Sequence, residues 1–558
     1  MKLAILVIVS IALVACERSS APLTVSTTAT PTIAPTASPT PALAATPIAL
    51  PPQAAPFITV QLASDVPATV RVAVEHLDDK LRFKLLAPDN PADLIIGSEA
   101  TSDAPLLTER VYAPVAAFPT LRSAVTFAQL REAWQGKAAS GIGALYASDE
   151  TVAALNQIMG APAASVKRVK PDDITTQLWK DPNAAGIVPF DELSVKFTAL
   201  KLDGVNILSH DASLERYPLI VRWTITGDAQ SAQRLIAALR PTVPTTNRDS
   251  QRITTLVMTG TTAITRVSAY RIEQQHDPVL PARKIAPVVS RADIVHVSNE
   301  VSFVADCKPS IALGTLEFCS KPSYLDALKL LGVTIVGLTG NHLLDFGPHN
   351  FMRTLDIYDQ AGMKYYGGGR DATEASKTLF LTDHGNRLAF LGANPIGPET
   401  DWATAVRPGS LLYNATALAQ HIADARRQAD VVLVELQGEE TYDYRPPAGN
   451  VQMYQRTLTA GADVVTGVQA HQPQGIEFDA SGTKIILYGL GNLFFDQVFS
   501  EGVRQGLIVR HTIYHGRLLQ TELLPTMRDD EVQPRFATPA ERERIMRAVF
   551  AASGFKTP

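Results

Sequence analysis

Between Arg252 and Asp496 the chain repeats one pattern: a short β-branched run ending in polar residues, followed by a segment of helical periodicity. The runs are RITTLVMTG (252–260), DIVHVSNE (293–300), TIVGLTGNH (334–342), RLAFLGAN (387–394), DVVLVELQGEE (430–440), GADVVTGVQAH (461–471) and KIILYGLGNLFFD (484–496). Helical stretches such as SYLDALKLLG, PHNFMRTLDIYDQAG and LAQHIADARRQA stand between them. Strand-then-helix repetition leads to an α/β fold with a largely parallel sheet. Such a sheet gathers the polar residues at the strand ends along one edge, where open α/β folds bind ligands.

The segment from Phe57 to about Ala238 alternates in the same way, with strands at 92–100, 110–118 and 184–190 and a helix starting near Thr126. YAPVAAFPTL, TFAQLREAWQGK, AAGIVPFDEL and ALKLDG, in that order, resemble a phosphate-type periplasmic binding protein. That resemblance implies a periplasmic-binding-protein-like α/β domain over 57–245. Ser98 and Thr101 are its candidate anion contacts, or plain helix and loop caps. A polar, Pro-bearing break at 240–250 separates the two units.

Ahead of both, Lys2 precedes an apolar run, Leu3 to Val14, interrupted only by Ser10 and ending in Leu13-Val14-Ala15-Cys16. This looks like the lipobox of a lipoprotein signal peptide over 1–16, with Cys16 as the lipidated residue. The alternatives are an ordinary secretory signal or an uncleaved anchor. Residues 17–56 are almost wholly Ala, Pro, Thr and Ser, a composition that stays extended and suits a tether. The expected location is extracytoplasmic, lipid-anchored to the cell membrane. Of the 3 Cys, Cys307 and Cys319 are left over. In an oxidising compartment they read as a disulfide, with two buried free thiols as the alternative. Content that is 46% hydrophobic and 19% charged fits globular cores, and a net charge of −5 argues against a nucleic-acid partner, which would want a basic face.

The sharpest motif is Gly340-Asn341-His342-Leu343-Leu344-Asp345-Phe346-Gly347. Together with Glu300, GADVVTG-x-x-x-His471 and YGLGNLFFD (488–496), it resembles the poly-γ-glutamate capsule biosynthesis (CapA-type) family. The resemblance implies a four-layer α/β sandwich of metallophosphatase type over 251–525, with a helical C-terminal extension over 526–558. It also implies a divalent metal (Mn, Fe, Zn or Mg) and an anionic polymer or cell-envelope polysaccharide as partner.

Several family residues are replaced. Gly-Asp at the first strand end becomes Gly260-Thr261, His-Trp-Gly becomes Leu436-Gln437-Gly438, and His-x-His becomes Gln469-Ala470-His471. The remaining metal donors are Glu300, Asn341, Gln469 and His471, and the catalytic candidates are His342 and His471. Asp345, Asn492 and one of Glu439 or Glu440 complete the site. This set is poor in charge and in imidazoles for two cations, so hydrolysis at a degenerate metal site stands beside non-catalytic binding. Asp306 is a candidate substitute acid. His296 and His349 read as surface or packing residues, and Gly367-Gly368-Gly369 as a tight loop. Gly489, Gly491 and Asn492 read as allowing close backbone approach.

Overall fold

The computed structural model describes residues 56–558, apart from 88–89, 99–102, 138–140, 310, 312–315, 531 and 558. Cys16, the tether and Thr101 lie outside the described residues.

In the N-terminal half, Ile58–Leu62 pairs in parallel with Phe83–Leu85 and Leu94–Gly97. Ala185–Pro189 pairs in parallel with Leu145–Ala147. Two long strands join these groups. Ile220–Gly227 runs antiparallel to both Leu94–Gly97 and Leu106–Ala117, and Leu106–Ala117 runs antiparallel to Ala185–Pro189. The helix expected near Thr126 spans Phe127–Trp134, opened by a Thr126–Gln129 capping box. Its Leu130 and Trp134 enter the core of this half.

The C-terminal half contains two larger sheets. One runs in the order Lys364–Tyr366, Ile335–Gly337, Ile294–Asn299, Ile253–Met258, Gln505–Tyr514, Arg517–Arg528, Pro534–Phe536. The other runs Leu379–Asp383, Asn386–Ala393, Val431–Thr441, Val464–Ala470, Ile485–Leu487, Ile476–Phe478. Alternation along each strand sorts the side chains. Leu256, Ile294 and Ile335 of one sheet meet Phe390, Leu433 and Ile485 of the other in a shared core. Val257, Val295 and Val336 face outward, onto a cluster that includes Leu355 and Tyr358 of the helix Gly347–Gln360. Ala389, Val432 and Val465 face helices Ala415–Arg426 and Ala448–Thr459. Helix, sheet, sheet, helix is the four-layer α/β sandwich expected.

Two boundaries differ from the sequence reading. The expected break at 240–250 is tightly held: Asn247 and Arg248 are buried, and Asn247 bonds both backbone groups of Val111. Polar residues there satisfy buried backbone rather than mark a linker. The expected extension from 526 begins inside the strand Arg517–Arg528, and Pro534–Phe536 pairs with that strand. The closing helix Pro539–Ala552 opens with a Thr538–Glu541 capping box and sends Ile545, Met546, Val549 and Phe550 into the core between the sheets. Cys307 and Cys319 form a disulfide. No helix among the described residues is long and apolar enough to cross a membrane.

Candidate functional site at the strand ends

Glu300 directly follows the strand Ile294–Asn299, and Asn341 and His342 follow Ile335–Gly337. The two trailing segments stay side by side, with Val301 bridging to His342. Glycine is required at 340, since a Cβ there would stand 2.3 Å from that of Glu300. Across the same edge, Thr261 donates its N–H to Gly491 O at 3.0 Å, and a Cβ on Gly260 would stand 1.9 Å from that oxygen. This places Asn492 beside the first strand end.

Glu300 is buried, and burial pushes its carboxyl up to about 7. The charges of Glu440 and Asp345 add to the shift, while His342 and Arg266 oppose it. His342 donates from Nδ1 to Asp345 Oδ2 at 2.8 Å. Burial disfavours its charged form. The Asp345 bond and the charges of Glu300, Asp345 and Asp401 outweigh burial and hold it above the ordinary histidine range. Asp345 Oδ2 also accepts Phe318 N–H at 2.7 Å, which lays the Phe318 ring 4.2 Å from that of His342.

His471 is buried between the rings of Tyr442 and Phe495, and burial holds it below the ordinary range. Its Nδ1 lies 2.8 Å from Asn492 Oδ1, and its Nε2 lies 3.6 Å from Glu440. Of the acidic pair, Glu440 therefore faces the site. The backbone of Glu439 bonds Asn450 of an outer helix.

Asn341 and Gln469 are brought together by Gln437, whose Nε2 donates to Asn341 Oδ1 at 3.0 Å and Gln469 Oε1 at 2.9 Å. Gln469 is held at φ +76°, a conformation that side-chain-bearing residues rarely adopt. Thr261 Oγ1 and Gln437 Oε1 are buried without a hydrogen-bond partner among the described residues. The two amide oxygens expected on a metal thus already accept from one amide, and the first strand end supplies a neutral hydroxyl. These residues do not fit a dinuclear metal pair, which needs carboxylate bridging and several imidazoles. Among the described residues, the His/Cys/Asp/Glu group whose ligand atoms gather closely is His210, Asp293 and His384, elsewhere in the fold.

Sequence reasoning missed three contributors. Arg266 pairs with buried Asp496 and lies over the rings of Phe318 (4.6 Å) and Phe495 (5.0 Å). Asp401 is the acid that joins His342 and Asp345, and burial pushes it up to about 7. Asp306, the acid singled out, is exposed. Glu435, from the middle of a strand, lies wholly buried under the site, bonded by Ser298 and Thr339. His296 is fully buried, 3.4 Å from Glu435, with Tyr366 Oη 2.9 Å from its Nε2. It is an interior polar residue, while His349 is exposed. An inward-facing Glu within VVLVELQ was the available signal. Ser98, in the other half, bonds Asp65 beside a cavity of about 810 Å³.

Residues 255–497 match the family described as "Bacterial capsule synthesis protein PGA_cap". The capsule biosynthesis protein CapA of Bacillus anthracis is 26% identical over 311 residues, 54% of this chain and 74% of that protein. A probable polyglutamine synthesis accessory protein of Mycobacterium tuberculosis is 30% identical over 223 residues, 37% of this chain and 58% of that protein. The match therefore spans less than two thirds of the second relative. The solved structure of a 5'-nucleotidase precursor from Thermus thermophilus aligns at 15% identity and a TM-score of 0.31, covering 54% of this chain and 58% of that one.

Proposed function

The segment 255–497 belongs to the CapA-type bacterial capsule-synthesis family, and from that premise we propose that the protein acts outside the cytoplasm in making, releasing or anchoring an anionic capsule polymer of the poly-γ-glutamate type. The observation that carries this reading is the convergence of Glu300, His342–Asp345 and His471–Asn492 at adjacent strand ends within that segment. Lipid on Cys16 would hold the globule at the membrane surface, with residues 17–56 giving it reach. The Cys307–Cys319 disulfide suits an oxidising compartment.

The chemistry available is proton transfer and hydrogen bonding. Glu300 and Asp401 hold protons near neutrality and can donate them to an amide or carboxylate of the polymer. His342, oriented by its Nδ1 bond to Asp345, can turn its other ring nitrogen toward an oxygen that gains negative charge. The Gln437 bridge between Asn341 and Gln469 favours a second reading, in which the cleft binds polymer without cleaving it.

The test uses the full chain in detergent with γ-glutamyl polymer, beside Glu300→Gln and a His342→Ala, His471→Ala double variant. Polymer binding lost in folded variants supports the cleft, and chain shortening by the parent selects catalysis over binding. Neither binding nor shortening by the parent defeats both readings. A Cys16→Ser chain that still fractionates with membranes defeats the lipid anchor.

A further inference from the structure

A second cluster lies at the opposite edge of the same sheet. Asp293 immediately precedes the strand Ile294–Asn299, whose far end leads to Glu300. His384 occupies the turn between Leu379–Asp383 and Asn386–Ala393, and His210 reaches in from the N-terminal half. One ligand atom from each of the three lies within 4.8 Å of the others. The rings of His210 and His384 are 4.7 Å apart. All three side chains are partly exposed.

The hydrogen bonds fix what can occupy the space. His210 Nδ1 lies 2.9 Å from Ser250 O, which only accepts, so Nδ1 carries the hydrogen. Its Nε2 faces Asp293 Oδ2 at 2.8 Å. That oxygen already accepts the N–H and hydroxyl of Thr255, at 2.7 and 2.6 Å. A neutral imidazole would set its lone pair against a carboxylate, so a cation belongs between them, either a proton or a metal ion. His384 places Nδ1 2.7 Å from Asp383 Oδ2, which also accepts from Thr254 at 2.7 Å, leaving Nε2 uncommitted. An Nδ1–H tied to a carbonyl or carboxylate, with Nε2 left over, is how metal-binding histidines are oriented. A proton shared by His210 and Asp293 does not account for His384 in the same small space.

We propose that His210, Asp293 and His384 form a site for a borderline transition-metal dication such as Zn²⁺. Two imidazole nitrogens and one carboxylate oxygen would hold the ion, with a fourth position open to water. The ion fastens the N-terminal half to the sandwich, since His210 comes from one and Asp293 and His384 from the other. The inference is independent of the strand-end cleft.

The test titrates the full, chelator-stripped chain in detergent with Zn²⁺, and with Co²⁺ as a visible probe of coordination. The variants are His210→Gln, His384→Asn and Asp383→Asn. Asn suits position 384, where φ is +46°. The parent should take up one equivalent of Zn²⁺ with a rise in its thermal midpoint, and its Co²⁺ form should show the intense bands of low coordination. Both ligand variants should lose that equivalent while keeping the metal-free midpoint of the parent. Asp383→Asn should weaken affinity about 10- to 100-fold. The His342→Ala, His471→Ala variant should retain the equivalent, which separates this site from the cleft. Unchanged uptake in His210→Gln and His384→Asn, or no saturable uptake by the parent, would overturn the site and leave only the His210–Asp293 hydrogen bond.

Discussion

Glu435 shows how one residue joins the strand-end chemistry to the interior. Its carboxyl is wholly buried between the sheets, and burial pushes it up to about 7, against the hydrogen bonds from Thr339 and Ser298. Burial drives the neighbouring His296 the other way, down to about 3, so the imidazole is neutral. A carboxyl raised on folding binds its proton more tightly in the folded chain. Its contribution to stability is complete below the unfolded value near 4.5 and disappears as pH rises through about 7. Glu435→Gln keeps an acceptor for both hydroxyls and removes the titration. Between pH 6 and 8 the parent should therefore lose about 1 kcal/mol more stability than the variant, as measured by urea unfolding. Parallel losses would mean that the carboxyl is not neutral inside the fold.

At the scale of elements, the loop between Val304 and Ser320 positions the site from outside the sheet. Cys307 and Cys319, twelve residues apart, close it, and the next residue inward, Phe318, is pinned to Asp345 and covers His342. Replacing both cysteines by Ser should cost about 3 kcal/mol in the chain-entropy account. It should also speed modification of His342 by an imidazole-directed reagent, because the covering ring is released. Equal reactivity in both chains would show that Asp345 alone holds the ring.

Elements of this kind were legible to different degrees. The strands of the sandwich and the helices between them follow from periodicity and turn residues, which are local signals. GNH…D places His342 on Asp345 because three residues span one turn. Gln437 was not legible as a bridge, since its partners Asn341 and Gln469 are 96 and 32 residues away. Asp401 closes the short turn Glu399–Asp401 and Arg266 opens the helix Arg266–Gln275, neither marked by a periodic signal, and only tertiary packing delivers them to the site. The stretch 240–250 misled for the same reason: polar residues read as solvated until the backbone they satisfy is seen.

For the whole molecule, the question is whether the two halves unfold as one. The residues from Pro56 onward make a single compact unit, and polar contacts cross the seam. Gln520 Oε1 accepts Ala199 N–H, Arg517 donates to Asp191 O, and Arg542 donates to Leu121 O at 2.9 Å. Tyr514, from the sandwich sheet, donates its hydroxyl to Asn247 O at 3.0 Å. Asn247 in turn accepts from Val111 N at 2.8 Å and donates to Val111 O and Asp191. One buried amide thus ties the long strand of the N-terminal sheet to the chain that enters the sandwich. Asn247→Ala would leave both backbone groups of Val111 without a partner, at about 1–3 kcal/mol for each such group. That cost falls on the N-terminal half, while the two-sheet core keeps its packing. Scanning calorimetry of the parent should show one transition, and the variant should show two, the first at lower temperature. Two transitions already present in the parent would mean that the seam does not couple the halves.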